Sequence, residues 1–168
     1  RRSIGRLLSS LRGQKHEHIA VALPLKSGVD DAQLARALTE GALLGTYRYD
    51  KFKSKKVALG IKRVSILGTR RAVSIAQGVE LGQIGAAATN FARELVNEPA
   101  QTLPPSELAK HALSLAGGGV TVTVHDESAL KRMKAGLILA VAQGSAQKPC
   151  LIELHYKPKK ASTKKLAV

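Results

Sequence analysis

A single long helical pattern, from Ala72 to Asn97, limits most strongly what this chain can fold into. Apolar residues recur there at the spacing of one helix face. Gly78, Gly82 and Gly85 fall within the pattern, and each would weaken an isolated helix by roughly 1 kcal/mol relative to alanine. We therefore expect these glycines to mark points where a neighbouring element closely approaches the helix.

Helices and strands alternate on both sides of this pattern. Before it, helices are predicted at residues 2–12 and from Asp30 or Asp31, with apolar runs typical of strands at 19–23 and 63–68. After it, a helix is predicted from Pro105, a short helix at 127–134, and strands at 120–124, 137–141 and 150–156. The alternation predicts an α/β fold whose sheet is largely parallel after residue 119.

Composition narrows the class of protein. Hydrophobic residues make up 44% of the chain, enough for a packed core, whereas aromatic residues make up only 3%, few for a protein that stacks on bases. The single cysteine, Cys150, excludes an intrachain disulfide and fits a reducing, intracellular compartment. No apolar run approaches the roughly 20 residues that span a bilayer. The basic first residues fit either an organelle transit peptide or a folded amphipathic helix.

The net charge of +15, from 27 lysines and arginines against 12 acidic residues, is the most unusual property of the sequence. Such a charge is typical of proteins that bind RNA, DNA or another polyanion. Each basic cluster taken alone is equally typical of a solvated loop, so both interpretations stay open. The candidate polyanion-binding residues are Arg1, Arg2, Arg6, Arg12, Lys53, Lys55, Lys56, Arg70, Arg71, Lys157, Lys159, Lys160, Lys164 and Lys165.

The sequence offers no catalytic or metal-binding candidate. Its five histidines are scattered, and none has the spacing of a zinc site. Cys150 lies on a predicted strand, where a packed small side chain is a simpler interpretation than a nucleophile. Three glycines at 117–119 follow a helix and precede a strand, which is the reverse of the order in a phosphate-binding loop. They therefore predict a helix end.

Three segments nevertheless carry a family resemblance. In chain order they are residues 90–100 (NFARELVNEPA), 139–146 (LAVAQGSA) and 151–158 (LIELHYKP). The series resembles the leucyl aminopeptidase family of metallopeptidases (M17, the cytosol aminopeptidases), in which such segments lead into the catalytic half. Residues 42–47 and 52–54 are similar to the plant and cyanobacterial branch. The resemblance is clear over residues 60–168 and weaker before them.

The resemblance implies a peptidase with two divalent metals, zinc or manganese, that removes amino-terminal residues and assembles as a hexamer. Its metal ligands are expected beyond Val168, so none is carried onto this chain, which is expected to be inactive alone. The resemblance also implies a partial amino-terminal α/β domain at 1–71, a linker helix at 72–97 and the start of the peptidase domain at 98–168. Where the family usually has threonine or serine, Pro104 offers no hydroxyl to cap the next helix.

Two functional hypotheses remain open. In the first, the chain is the non-catalytic part of a leucyl aminopeptidase, with the rest of the peptidase or identical subunits as partners. In the second, it is an inactive, aminopeptidase-derived basic protein that binds RNA or DNA, or a structural subunit of a ribonucleoprotein. Neither hypothesis includes a membrane.

Overall fold

A computed structural model describes residues 1–11, 13–24, 28–55, 60–68, 72–159 and 166–167 of the chain. The chain divides into two compact units, Arg1–Asn97 and Glu98–Val168. Within the described ranges, each unit contains one pair of strands together with helices. The predicted α/β class is confirmed, and it includes a parallel sheet in the first unit.

The described residues of the first unit form three helices and two parallel strands. The elements are α1 (Arg2–Ser10), β1 (His18–Ala22), α2 (Asp31–Thr46), β2 (Arg63–Leu67) and α3 (Ala72–Asn97). The strand register runs from His18 opposite Arg63 to Ala22 opposite Leu67. Helix α2 begins as the sequence predicts, because the Asp30 carboxylate accepts hydrogen bonds from the first free backbone amides.

Two small aliphatic clusters form the core of the first unit. In one, Ile4 and Leu8 of α1 are buried against Ala42 of α2. In the other, Ala35 of α2 and Ile75 of α3 are buried together. Full burial of one large aliphatic side chain contributes about 1.5–3 kcal/mol. Because both clusters include residues of α2, this helix packs against α1 through one apolar face and against α3 through another.

Gly78 and Gly82 of α3 lie where the sequence analysis expects a close neighbour, which confirms the expectation for these two, whereas a Cβ atom added at Gly85 would meet only the end of the Glu40 side chain, at 3.3 Å. A Cβ atom added at Gly78 would collide with the backbone of Ala32 on α2. At Gly82 the same atom would lie 2.7 Å from the Cβ of Thr39. The two helices can approach this closely only because these glycines carry no side chain. None of the described helices, α3 included, is long and apolar enough to cross a membrane.

In the part of the second unit that the structure describes there are three helices and an antiparallel strand pair. Its elements are α4 (Pro105–Leu113), β3 (Val120–His125), α5 (Glu127–Arg132), α6 (Gly136–Ala142) and β4 (Leu151–Tyr156). Strand β3 pairs with β4 from Val120 opposite Tyr156 to His125 opposite Leu151. As expected, Pro104 precedes α4 without a side-chain hydrogen bond to the helix.

Two predictions for the second unit are wrong in detail. The segment 137–141, expected as a strand, lies in helix α6, because a short apolar run does not distinguish the two structures and its surroundings decide between them. The strands after residue 119, expected to be largely parallel, are antiparallel. Without a strand at 137–141, no parallel strand separates β3 from β4, and the two pair directly.

Candidate polyanion-binding site

Helix α1 presents two of the predicted arginines on one exposed face. Arg2 and Arg6 are four residues apart, which places them one helical turn from each other. Beside them, Gly5 of α1 meets Gly45 of α2 so closely that a side chain at Gly45 would collide with the α1 backbone. The close crossing leaves a groove of about 420 Å³ between the helices, lined by Arg1, Arg2, Arg6, Gly41, Leu44 and Gly45.

Arg1 is engaged within the fold. Its Nε atom lies 2.5 Å from Glu40, whose other carboxylate oxygen accepts a hydrogen bond from Arg36 at 2.8 Å. The Glu40 side chain is only 7% exposed, whereas both arginines are about half exposed or more. The two guanidinium groups therefore compensate a buried carboxylate. Arg2 and Arg6 have no ion pair among the described residues, so their charges remain available in the groove.

The basic segment after α2 is partly neutralised. Asp50 lies 2.9 Å from Arg48 and 3.1 Å from Lys53. Local desolvation raises the pKa of Asp50, but the hydrogen bond from Lys53 and the charges of Arg48 and Lys53 outweigh it and hold the pKa below the ordinary value of 3.8. The charge of Lys53 is therefore paired with Asp50, whereas the side chain of Lys55 is exposed to solvent.

Of the other candidates that the structure describes in the first unit, Lys53 and Lys55 do not line this groove. Lys157 and Lys159 are exposed at the end of β4, in the second unit. Seven candidates lie outside the described residues: Arg12, Lys56, Arg70, Arg71, Lys160, Lys164 and Lys165. Of the predicted set, the structure therefore assembles the three arginines of the α1 end and leaves polyanion binding as a prediction.

The part of the chain that the structure describes does not fit a pair of catalytic metals. No group of three or more His, Cys, Asp or Glu side chains within it could hold a metal ion. His125 is used in a contact with Glu153 at 3.1 Å across the strand pair. Cys150 is half-buried, and its Sγ lies 3.5 Å from the carbonyl oxygen of Pro105. Both side chains have structural partners.

One group of structural residues was missed by the sequence analysis, although it lies in the 90–100 motif. Asn90 and Arg93 of α3 donate hydrogen bonds to the carbonyl oxygens of Leu43 and Leu44 at the end of α2. Asn97, one turn further, donates to the Tyr47 hydroxyl. Residues 90, 93 and 97 have the spacing of one helix face, which could have identified them as a group. The spacing does not indicate which residues they contact. The motif therefore joins α3 to α2.

Comparison with known proteins assigns both ends of the chain to one family. Residues 1–56 match the model of the cytosol aminopeptidase family, N-terminal domain. Residues 90–168 match the model of the cytosol aminopeptidase family, catalytic domain. Together these ranges include α1, α2 and all elements of the second unit.

Individual relatives agree with this assignment. The chain is 37% identical over 169 residues to a probable cytosol aminopeptidase of Aquifex aeolicus, covering 100% of the chain and 34% of that protein. It is 41% identical over 142 residues to a probable cytosol aminopeptidase of Persephonella marina, covering 83% of the chain and 28% of that protein. The chain therefore spans about a third of the length of the curated relatives that it matches.

Solved structures give the same result. A mutant of the tomato leucine aminopeptidase matches with a TM-score of 0.83 and 25% identity, covering 95% of this chain and 33% of that one. The bottromycin maturation enzyme BotP in complex with Mn matches with a TM-score of 0.79 and 31% identity, covering 94% and 32%. Sequence and structure thus agree, and the chain belongs to the cytosol aminopeptidase (M17) family.

Proposed function

We propose that this chain is the non-catalytic portion of a leucyl aminopeptidase-like metallopeptidase, and that the whole protein removes amino-terminal residues from peptides. The observation that carries the proposal is the match to both family domains in a chain whose described residues hold no metal-binding group. The chain would act as a scaffold. Its domains would be the amino-terminal α/β domain at 1–71, the linker helix at 72–97 and the first elements of the peptidase domain at 98–168.

The proposal extends to cofactors and partners. Two divalent metals, zinc or manganese, would bind ligands supplied by the rest of the peptidase, and the Mn complex of BotP supports this choice. The partners would be that remainder or identical subunits in a hexamer. An intracellular location is supported by the single cysteine and by the word cytosol in the names of the relatives.

The direct test is the intact mass of the natural polypeptide and of the proteins that co-purify with it. The proposal expects either a mass about three times the 17.8 kDa of this chain, given that the chain covers 34% of a relative, or a co-purifying peptidase part. A polypeptide of 17.8 kDa that co-purifies with no peptidase part would contradict it.

A second candidate function is binding of RNA or DNA, and the net charge of +15 favours it. The free guanidinium groups of Arg2 and Arg6 are suited to bidentate contacts with phosphate. Each phosphate contact releases counterions, so binding should weaken steeply as salt rises. The low aromatic content predicts contacts with the phosphate backbone and little stacking on bases.

The test of this second function is the salt dependence of binding to a single-stranded RNA. Replacing Arg2 and Arg6 together by glutamine should make the negative slope of log K against log salt shallower by about 1.4, since each of the two contacts contributes about 0.7. The control K110Q removes a charge that is paired with Glu107 in the second unit. Equal slopes for the wild type and the double variant would exclude the arginine groove as the binding surface.

A further inference from the structure

Helix α6 is apolar around its whole circumference. Its residues, GLILAVA, include no polar side chain. The absence of charge extends over residues 135–147, although charged residues make up 23% of the chain. A helix that is apolar on every side is typical of a protein core and not of a protein surface.

The sides of α6 differ in their surroundings but not in their chemistry. One side is half-buried within the second unit and consists of Ile138, Leu139 and Ala142. The other side is exposed and consists of Leu137, Ala140 and Val141, which share one helix face. The exposed fractions of Leu137 and Val141 are 87% and 86%. The exposed side is therefore as apolar as the half-buried side.

Helix α1 shows how the same chain builds a surface helix. Its inward side carries Ile4 and Leu8, which are buried, and its outward side carries Arg2 and Arg6, which are exposed. The outward positions of α6 carry no such polar side chain. The exposed side of α6 therefore has the composition of a surface that further protein covers.

The second unit has few buried apolar side chains with which to enclose α6. Among its described residues, only Ala109, Ala112 and Leu130 are buried apolar residues. Residues 90–168 match the catalytic domain of the family, while the matched part amounts to about a third of the length of the relatives. In those relatives, about two thirds of the protein lies outside the matched part and is available to cover this side.

The composition around α6 also distinguishes the interior of a domain from a contact between separate proteins. Such contacts have an apolar centre and a polar rim that stays in contact with water. Residues 135–147 provide no charged side chain for a rim. The segment therefore favours enclosure within one domain.

We propose that the exposed side of α6 is an internal contact surface, which the remaining part of the same peptidase covers through Leu137 and Val141. This inference rests on the proposed function, in which the whole protein is an M17 peptidase. A neighbouring subunit or an unrelated protein is the alternative occupant that the test must exclude.

The test compares the oxidation of side chains by hydroxyl radicals in the isolated 168-residue chain and in the whole natural protein. Hydroxyl radicals oxidise leucine and valine side chains that solvent reaches, and mass spectrometry locates the products. The proposal expects at least tenfold slower oxidation of Leu137 and Val141 in the whole protein. The oxidation of Lys110 on α4, whose side chain is 69% exposed, should change less than twofold.

A pair of lysine substitutions gives a second measurement. L137K/V141K should leave the urea midpoint of the isolated chain unchanged, because both positions face solvent there. In the whole protein the same change should lower the midpoint, because two charges would be buried in an apolar contact. The control K110Q should leave both midpoints unchanged. If the double variant of the whole protein fails to fold, the isosteric V141T variant takes its place, with the same expected contrast.

The results that overturn the inference are distinct from the result that overturns the proposed function. Equal oxidation of Leu137 and Val141 in the isolated chain and in an intact peptidase would overturn the inference alone. Protection that disappears when the assembled protein is separated into folded monomers would assign the contact to a neighbouring subunit and also overturn it. A natural polypeptide of 17.8 kDa without a peptidase part would refute the proposed function and, with it, this inference.

Discussion

Arg93 donates a hydrogen bond from Nη1 to the carbonyl oxygen of Leu44 at 3.1 Å, and so joins the end of α3 to the end of α2. The last carbonyls of a helix have no partner within it, and a cation there also interacts favourably with the helix dipole. The same guanidinium lies 5.5 Å from the centre of the Tyr47 ring. Arg93 therefore combines capping, stacking and a tertiary contact in one half-buried side chain.

Replacing Arg93 by alanine should lower the free energy of unfolding by about 1–2 kcal/mol, because a charged hydrogen bond to a helix end is lost. Urea denaturation followed by circular dichroism measures the change. The control is Arg2→Ala, at an exposed arginine without an ion pair in the described part of the chain, where a change within about 0.5 kcal/mol is expected. Equal losses for the two variants would refute the capping role.

Replacing Gly78 by alanine should destabilise the protein by about 1–3 kcal/mol, since the new Cβ collides with the Ala32 backbone and overpacks the α2–α3 contact. In an exposed helix the same change would be stabilising by about 1 kcal/mol. Gly136, in α6, has nothing within 4 Å of an added Cβ and serves as the control. Thermal or urea denaturation should give opposite signs for G78A and G136A, and the same sign would contradict the close packing.

The charges around Glu40 predict an asymmetry between variants. Removing Arg1 and Arg36 together leaves a buried carboxylate without compensation and should cost about 2–3 kcal/mol. Glu40→Gln leaves two guanidinium groups that water already reaches, so its cost should stay below about 1 kcal/mol. Urea midpoints of R1Q/R36Q and E40Q measure the two costs. A larger loss of stability for E40Q than for R1Q/R36Q would contradict this account, because it would mean that the two arginines need the carboxylate more than the carboxylate needs them.

Lys134 follows the C-cap residue of α5, Met133, and lies in the left-handed region, with φ of 57°. Its conformation allows the Ala135 N–H to donate to the Leu130 carbonyl at 3.0 Å, as in a helix end that normally favours glycine. Lys134→Gly should therefore raise the free energy of unfolding of the second unit by about 0.5–1 kcal/mol. Lys134→Ala keeps the strain and should give no gain. Hydrogen exchange at Leu130 measures both, and a stabilising alanine variant would disprove the backbone origin.

Local patterns predicted a large part of the fold. The bounds of α3 and the Asp30 cap could be predicted from the sequence, because helix periodicity and capping depend on neighbouring residues. The close approach at Gly78 was readable because glycine is costly inside a helix without a packing reason. The family was readable from motif order, although the motifs gave no indication of what Asn90 and Arg93 contact.

Features that depend on distant residues could not be predicted. The apolar segment 137–141 satisfies both strand and helix patterns, and only its surroundings choose the helix. The direction of β4 relative to β3 is a property of the whole second unit. Arg1 is paired with Glu40, whereas Arg2 and Arg6 have no ion pair in the described part of the chain. This difference results from the crossing of α1 and α2, which the charge pattern of the sequence does not indicate.

The central claim is that these residues are the non-catalytic portion of an M17 peptidase, and the most direct test is hydrolysis of leucyl p-nitroanilide by the purified chain in the presence of Mn²⁺ or Zn²⁺. Catalysis by two metals requires ligands that hold both ions about 3.5–4 Å apart, and the described residues include no such group. We expect no metal-dependent hydrolysis above background, with a full-length relative active in the same assay. Hydrolysis that requires the metal and disappears with a chelator would contradict the claim.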